Sequence, residues 1–499
     1  MAEIDSRLAR CLAGVPEVDL RAAFHPRGAV VEIGDGVARV VGLPAVGYEE
    51  LVAFDSGALG MAYDLAPDHT GVVLLSDADG VRAAEGVSAT GRPPSVPVGG
   101  ELLGRLIDPL GRPLDDRPAP TSMWRPVFRE APELTERTSV NRALLTGVMV
   151  IDAAIPIGRG QRQLIVGDRN VGKTALALDI VAAQKAGDVV CVYVVIGQPL
   201  SRALGLREAL LQSAALPNTV LVAADAAEAP GLQYLAPYAG ATIAEALRDH
   251  GRDVLVVYDD LTKHADAYRE LALLLGRPPG REAFPGDIFY VHAELLERAA
   301  ALSDAGGGGS ITAFPIAETI DSDISTYIPT NLISITDGQI YLDASRFERN
   351  ERPAVDIGRS VSRIGGAAQP AAMRAAARNL RVGMARYESL EALTRVGLDV
   401  DPATRQAVER GRILRELLRQ PRFTVRTVAD QVLALTAVAE GWLDGAAPPD
   451  ARRALWAAAQ QARAEVPTVM ATLDSGDEPP PGWKERLHDI VRRSRETSR

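Results

Sequence analysis

Residues 163–179, QLIVGDRNVGKTALALD, read as a buried strand, a glycine-rich turn and a helix start, and they constrain the fold more than any other stretch. Gly167, Gly172, Lys173 and Thr174 fit G-x-x-x-x-G-K-[ST], with Leu164 to Val166 as the preceding strand and Ala175 to Ile180 as the following helix. Backbone N–H groups wrap a triphosphate only where side chains leave room, hence the glycines, and a helix N-terminus adds partial positive charge. The pattern predicts that the turn through Asp168, Arg169, Asn170 and Val171 cradles phosphate. Lys173 is expected at the β- and γ-phosphates of ATP or ADP, and Thr174 on Mg²⁺.

A protein of 499 residues, 47% of them apolar, has material for about three domains with ample core. A net charge of −11 argues against a broad nucleic-acid footprint, and no nucleic-acid partner is expected. The two cysteines, Cys11 and Cys191, are far apart, and the six histidines show no H-x-x-x-H pairing, so neither a disulfide framework nor a histidine metal site is indicated. No apolar run is long enough to span a membrane, and the first ten residues lack the apolar segment of a signal peptide. A cytoplasmic location in a bacterium is expected.

The expected fold is a multi-domain α/β protein. Residues 1–24 read as a short arm. From Ala29, short β-type runs (29–33, 37–41, 51–54, 60–65 and 71–75) are separated by turn signals about ten residues apart, which predicts a β-barrel at 25–92. Gly34-Asp35-Gly36 should close the first hairpin. After a proline-rich break at 91–97, apolar strands alternate with helical patterns, predicting a parallel sheet covered by helices over 93–370. From Ala371, Ala, Arg and Leu recur at helical spacing, so 371–499 is expected to be a helical bundle.

Two further positions bear on chemistry. Val254 to Tyr258 ends in Asp259, as expected of the strand that supplies a Mg²⁺-holding acid, directly or through water. The strand Val192 to Ile196 delivers Gly197-Gln198 to the same edge, where a hydrolase needs a group that orients or deprotonates water. An amide donates and accepts hydrogen bonds but takes no proton at neutral pH. From the residues alone, Gln198 is either a water-orienting group or the mark of a site that holds nucleotide without turning it over.

Beyond these motifs the sequence closely resembles the α subunits of F-type ATP synthases, from about Gly28 to about Pro370 and more loosely through the last third. The resemblance is carried by GDGVARV at 34–40, PIGRGQR at 156–162, Gly167-Asp168-Arg169, YDDL at 258–261 and RPPGREA at 277–283 with Pro285-Gly286-Asp287. YIPTN at 327–331 leading to Asp337-Gly338-Gln339, and PAVDIGRSVSR at 353–363, complete it. It implies a central RecA-like nucleotide-binding domain in a ring of three α and three β subunits around a γ-type shaft, attached through peripheral-stalk subunits to a membrane F0 sector. The implied activity is ATP synthesis or hydrolysis coupled to proton or sodium transport, at the cytoplasmic face of the membrane as a peripheral protein. In this family catalysis sits mainly on β, and the glutamine at Gln198 is what the largely non-catalytic, regulatory α subunit carries. Arg363 resembles the family's arginine finger, which reaches into the β site. Arg352, Pro353 and Gln420 match residues of the nucleotide's base pocket, and Ser334 matches an interface position.

The sequence also departs from the family. Asn170-Val171 stands where Gln-Thr is usual, Arg422 replaces a second pocket glutamine, and Pro199-Leu200 is unusual after Gln198. These changes resemble a divergent, alternative or sodium-type bacterial branch. The rival reading is a self-sufficient hexameric ATPase of the secretion or flagellar-export kind, which shares the core but should carry glutamate at 198. A ring-shaped RNA translocase would need basic and aromatic residues in the barrel, which has few aromatics and many acids.

Overall fold

The computed structural model describes residues 27–76, 80–121, 123–395 and 401–497; the arm expected at 1–24 lies outside them. The protein divides into two compact units, Met1–Arg92 and Pro93–Arg499.

The first unit is a closed barrel built from β1 (Arg27–Gly34), β2 (Val37–Val41), β3 (Leu51–Phe54), β4 (Leu59–Leu65), β5 (Thr70–Leu74) and β6 (Gly86–Ala89), in the order β1-β2-β5-β4-β3-β6. Alternating side chains, among them Val30, Val40, Val52, Val72 and Leu74, fill its interior. Asp35 and Gly36 both take positive φ (46° and 89°) between the paired residues Gly34 and Val37, the geometry of a two-residue hairpin turn. The reading of five β runs omits β6. That strand contributes a single fully buried apolar side chain, Val87, so the sequence offers little period-two signal, yet it closes the barrel by pairing with both β1 and β3.

The second unit opens with β7 (Ser95–Val98), β8 (Leu106–Ile107) and β9 (Met123–Pro126), of which β7 and β9 form a two-stranded sheet. Its main sheet adds β10 (Leu164–Gly167), β11 (Val189–Gln198), β12 (Thr219–Asp225), β13 (Asp253–Asp259), β14 (Ser310–Glu318), β15 (Gly338–Leu342) and β16 (Val361–Ser362). The order is β16-β15-β10-β14-β13-β11-β12-β8, parallel throughout except at β16. Both faces are covered, so β11 and β13 read as unbroken apolar runs rather than alternations. Cys191, Tyr193 and Val195 point into the core shared with the helix Lys173–Ala183. On the other face, Val192 and Val194 meet the helix Pro230–Arg248 at Gly240, where a Cβ would lie 2.3 Å from a Val194 methyl.

Seven helices between Ala371 and Thr497 make up the last part of the described residues. Their buried side chains, including Met373, Tyr387, Leu417, Val432 and Leu455, belong to the same hydrophobic core as Ile165 and Leu176. A buried polar hub ties the two regions. The Asp152 carboxylate accepts from the Thr146 and Gly147 N–H groups at 2.8 and 3.0 Å and from Gln431 Nε2 at 2.8 Å. Among the described residues no helix is long and apolar enough to cross a membrane.

Candidate nucleotide site

The P-loop stretch takes the predicted strand-turn-helix form. β10 ends at Gly167, and the helix Lys173–Ala183 begins with the two candidate ligands, Lys173 and Thr174. Gly172 is the helix N-cap at φ 102°, a conformation that favours glycine, and Asn170 in the turn also has positive φ (61°). Asn is among the few non-glycine residues that adopt this region readily, so Asn170 suits its place in the turn. Val171 is buried beneath the loop, against the position a Cβ on Gly167 would occupy.

The loop holds itself in shape through two of its charged residues. Lys173 Nζ donates to the carbonyl oxygens of Gly167 and Asp168 at 2.8 and 2.7 Å, and burial lowers its pKa. Burial also opposes ionisation of Asp168, but Thr319 Oγ1 at 2.5 Å and the Ser322 N–H and hydroxyl at 2.9 Å hold its carboxyl below the usual range. Arg169 is exposed and donates to Glu318 at 3.0 Å; the other Glu318 oxygen lies 3.9 Å from Lys173 Nζ.

Beside the loop, Asp259 at the end of β13 is only 2% exposed. Its Oδ2 accepts from Thr174 Oγ1 at 2.8 Å and from the Tyr193 hydroxyl at 2.7 Å, while Gln198 Nε2 donates to its Oδ1 at 3.1 Å and its carbonyl at 2.8 Å. Thr174 and Asp259 thus bring hard oxygen donors to one point at the helix start, a donor set that fits Mg²⁺. Asp260 caps the helix Leu261–Leu274 by accepting from the Lys263 N–H at 2.8 Å. Burial first, and the Asp259 charge second, push the Asp260 carboxyl up to about 7.

The residues expected at the base lie on the other side of the loop. Phe347 is the nearest group to the space beside Gly172, and the Arg352 guanidinium covers its ring at 4.4 Å. Gln420 meets Arg352 through the main chain, its N–H donating to the Arg352 carbonyl at 2.7 Å. Its side chain is committed elsewhere: Nε2 donates to the Gly147 and Thr424 carbonyls, and Oε1 accepts from the Met149 N–H. The Gln420 amide therefore straps the 420–426 segment to the nucleotide domain. The Phe423 N–H extends that strap to Asp179 at 2.7 Å, and Arg422 stacks on the Phe423 ring.

Arg363 and Ser334 lie apart from this cluster. Arg363 follows β16, exposed, with its N–H on the Asp337 carbonyl at 2.9 Å; among the described residues its guanidinium has no partner. β16 pairs with the first residues of β15, whereas the P-loop follows the last residue of β10, which is level with the last residue of β15. The length of a five-residue strand, roughly 15 Å, thus separates Arg363 from its own P-loop. Ser334 is exposed on the helix Tyr327–Ile335 and donates to the Thr330 carbonyl.

The sequence reading missed Glu318, Tyr193, Arg202 and Phe347. Tyr193 reads as one more apolar position in a buried strand. Glu318 and Arg202 carry a detectable signal only once β14 and the helix Leu200–Gln212 are known to end and begin beside the P-loop.

Three family models match the protein. They are the β-barrel domain of the ATP synthase alpha/beta family over 27–91, the nucleotide-binding domain of that family over 147–362, and the C-terminal domain of the ATP synthase alpha/beta chain over 369–494. A protein named ATP synthase subunit alpha 2 from Syntrophotalea carbinolica is 51% identical over 453 residues, which make up 90% of this sequence and 86% of the relative. ATP synthase subunit alpha from Dehalococcoides mccartyi is also 51% identical, over 84% of this sequence and 83% of the relative.

Proposed function

The chain belongs to the ATP synthase alpha/beta family, and from that premise we propose that it is the nucleotide-binding, largely non-catalytic α subunit of the F1 sector of a rotary ATP synthase. The observation that carries this reading is the pairing of a complete P-loop with Gln198. The amide lies on Asp259, where hydrolysis calls for a group that takes a proton from water, and an amide takes none. The self-sufficient ATPase reading is not favoured, since it needs glutamate there and the matched relatives are named ATP synthase subunit alpha.

In this reading the loop N–H groups of residues 167–172 and the amine of Lys173 bind the phosphates of ATP or ADP. Thr174 and Asp259 hold Mg²⁺, directly or through water, and the metal neutralises phosphate charge when bound. Lys173 exchanges its two carbonyl partners for phosphate oxygens, and Arg352 and Phe347 border the base. Pro353 shapes the same wall, while Gln420 acts through the strap it anchors.

Arg363 is the residue given to the partner. It is an unpaired, exposed guanidinium a strand's length from its own P-loop, which suits delivery in trans to the catalytic site of a β subunit. Ser334 belongs to the same interface. The assembly is an alternating α3β3 ring with a γ-type shaft, peripheral-stalk subunits and a membrane F0 sector that moves protons or sodium ions, bound peripherally at the cytoplasmic face of the membrane. The division into barrel 25–92, nucleotide domain 93–370 and helical domain 371–499 is part of the proposal.

Arg363→Ala in the complex reconstituted with its β partner is expected to assemble normally and to lower ATP turnover about 10³-fold or more. Near-normal turnover from the assembled variant rejects the finger assignment.

A further inference from the structure

Arg202 stands in the first turn of the helix Leu200–Gln212, immediately after the strand that delivers Gln198. Its Nη2 donates to Thr174 Oγ1 at 3.0 Å. That hydroxyl already spends its proton on Asp259 Oδ2, 2.8 Å away, so the lone pairs left to bind a metal are shared with a guanidinium. Asp259 is similarly engaged by Tyr193 and Gln198. The point where the metal's ligands converge is therefore already occupied by fixed donors, one of them a permanent cation.

The two cations of the loop itself are spoken for. Arg169 is paired with Glu318, and Lys173 has the second Glu318 oxygen at 3.9 Å. Arg202, in contrast, forms no ion pair with any described residue, and only one of its five N–H donors is used. It is a free positive charge aimed at the site where triphosphate oxygens and their metal would meet.

We propose that Arg202 is a built-in counter-cation for the triphosphate, and that it lets this protein hold metal-free nucleoside triphosphate. The proposal rests on the reading that the P-loop binds ATP. A guanidinium beside Thr174 donates to β- or γ-phosphate oxygens without leaving its helix turn, so part of the charge normally neutralised by Mg²⁺ is neutralised by the protein. Removing the metal then costs this site less affinity than a P-loop that has its lysine alone.

The test is equilibrium binding of a fluorescent ATP analogue to the purified full-length protein, in excess Mg²⁺ and in excess EDTA. The wild-type protein is expected to lose less than about tenfold in affinity on metal removal, and Arg202→Ala at least about tenfold more than wild type, the scale of one charge-assisted hydrogen bond. Arg202→Lys, which keeps the charge, should recover most of the difference. Equal metal dependence in wild type and Arg202→Ala overturns the proposal, as does complete loss of wild-type binding in EDTA. Absence of binding even in Mg²⁺ rejects the nucleotide-site reading beneath it.

Discussion

At the scale of single residues, buried ionisable groups set how the nucleotide domain answers pH. His264 lies in the helix that Asp260 caps, stacked on Tyr234, with its Nε2 on the Tyr234 carbonyl at 3.1 Å and its Nδ1 3.2 Å from His292 Nε2. Complete burial lowers the His264 pKa from 6.5 to about 4 and lowers that of His292 as well, so the folded protein keeps both rings neutral. Between these two pH values the unfolded state binds protons that the folded state excludes. Stability from this source is present above about pH 6.5 and is lost as pH falls toward 4, on the order of 3 kcal/mol for His264. Asp260 works in the opposite sense, because its raised pKa lets the folded state hold a proton up to about pH 7. Comparing thermal melting of wild type and His264→Phe at each pH from about 7 to about 4.5 cancels Asp260. The variant should lose stability less steeply on acidification; parallel curves reject a neutral buried imidazole. The P-loop residues were legible in the sequence because glycine, lysine and threonine at fixed spacing have few other uses. Tyr193 was not, because a tyrosine inside an apolar strand declares no partner until Asp259 is folded beside it.

At the scale of elements, the parallel sheet was legible wherever a strand is buried on both faces, as in β11 and β13, since an apolar run bounded by turns leaves few alternatives. β6, β7, β9 and β16 escaped because strands of two to four residues are fixed by their neighbours rather than by their own pattern; β7 lies within the stretch read as a proline-rich break. Register across the helices on one face depends on a buried ion pair. Arg298 is 1% exposed and donates to Glu245 through Nε at 2.8 Å and Nη2 at 2.7 Å, with further bonds to the Val127 carbonyl and Thr242. Arg298→Met leaves the buried Glu245 carboxylate with the more exposed Arg129, at 3.3 Å, as its remaining cation, and should destabilise the fold by about 3–5 kcal/mol. The double variant with Glu245→Leu should regain a large part of that loss, as read by chemical denaturation. Similar stability for the single variant and wild type contradicts this account of the pair.

At the scale of the whole molecule, the division of labour is topological. The turn proposed to cradle phosphate follows the C-terminal end of β10, and Arg363 lies beside the N-terminal end of β15, so the proposed nucleotide site and this guanidinium stand at opposite ends of the sheet. Composition and spacing reached the site but left Gln198 open between two roles; the family resemblance chose the non-catalytic one, and the fold supplies the amide's contact with Asp259 as its physical counterpart. The base side was the least legible. Gln420 looks like a pocket residue in sequence, but its amide is taken up by backbone groups of residues 147, 149 and 424, and the first two of these lie far away in sequence. The most direct test pairs equilibrium Mg-ATP binding with steady-state ATP hydrolysis on one preparation of the isolated full-length protein. Saturable binding with turnover at background is the expected result; robust turnover by the isolated protein would make Gln198 a working water-positioning residue and overturn the non-catalytic assignment.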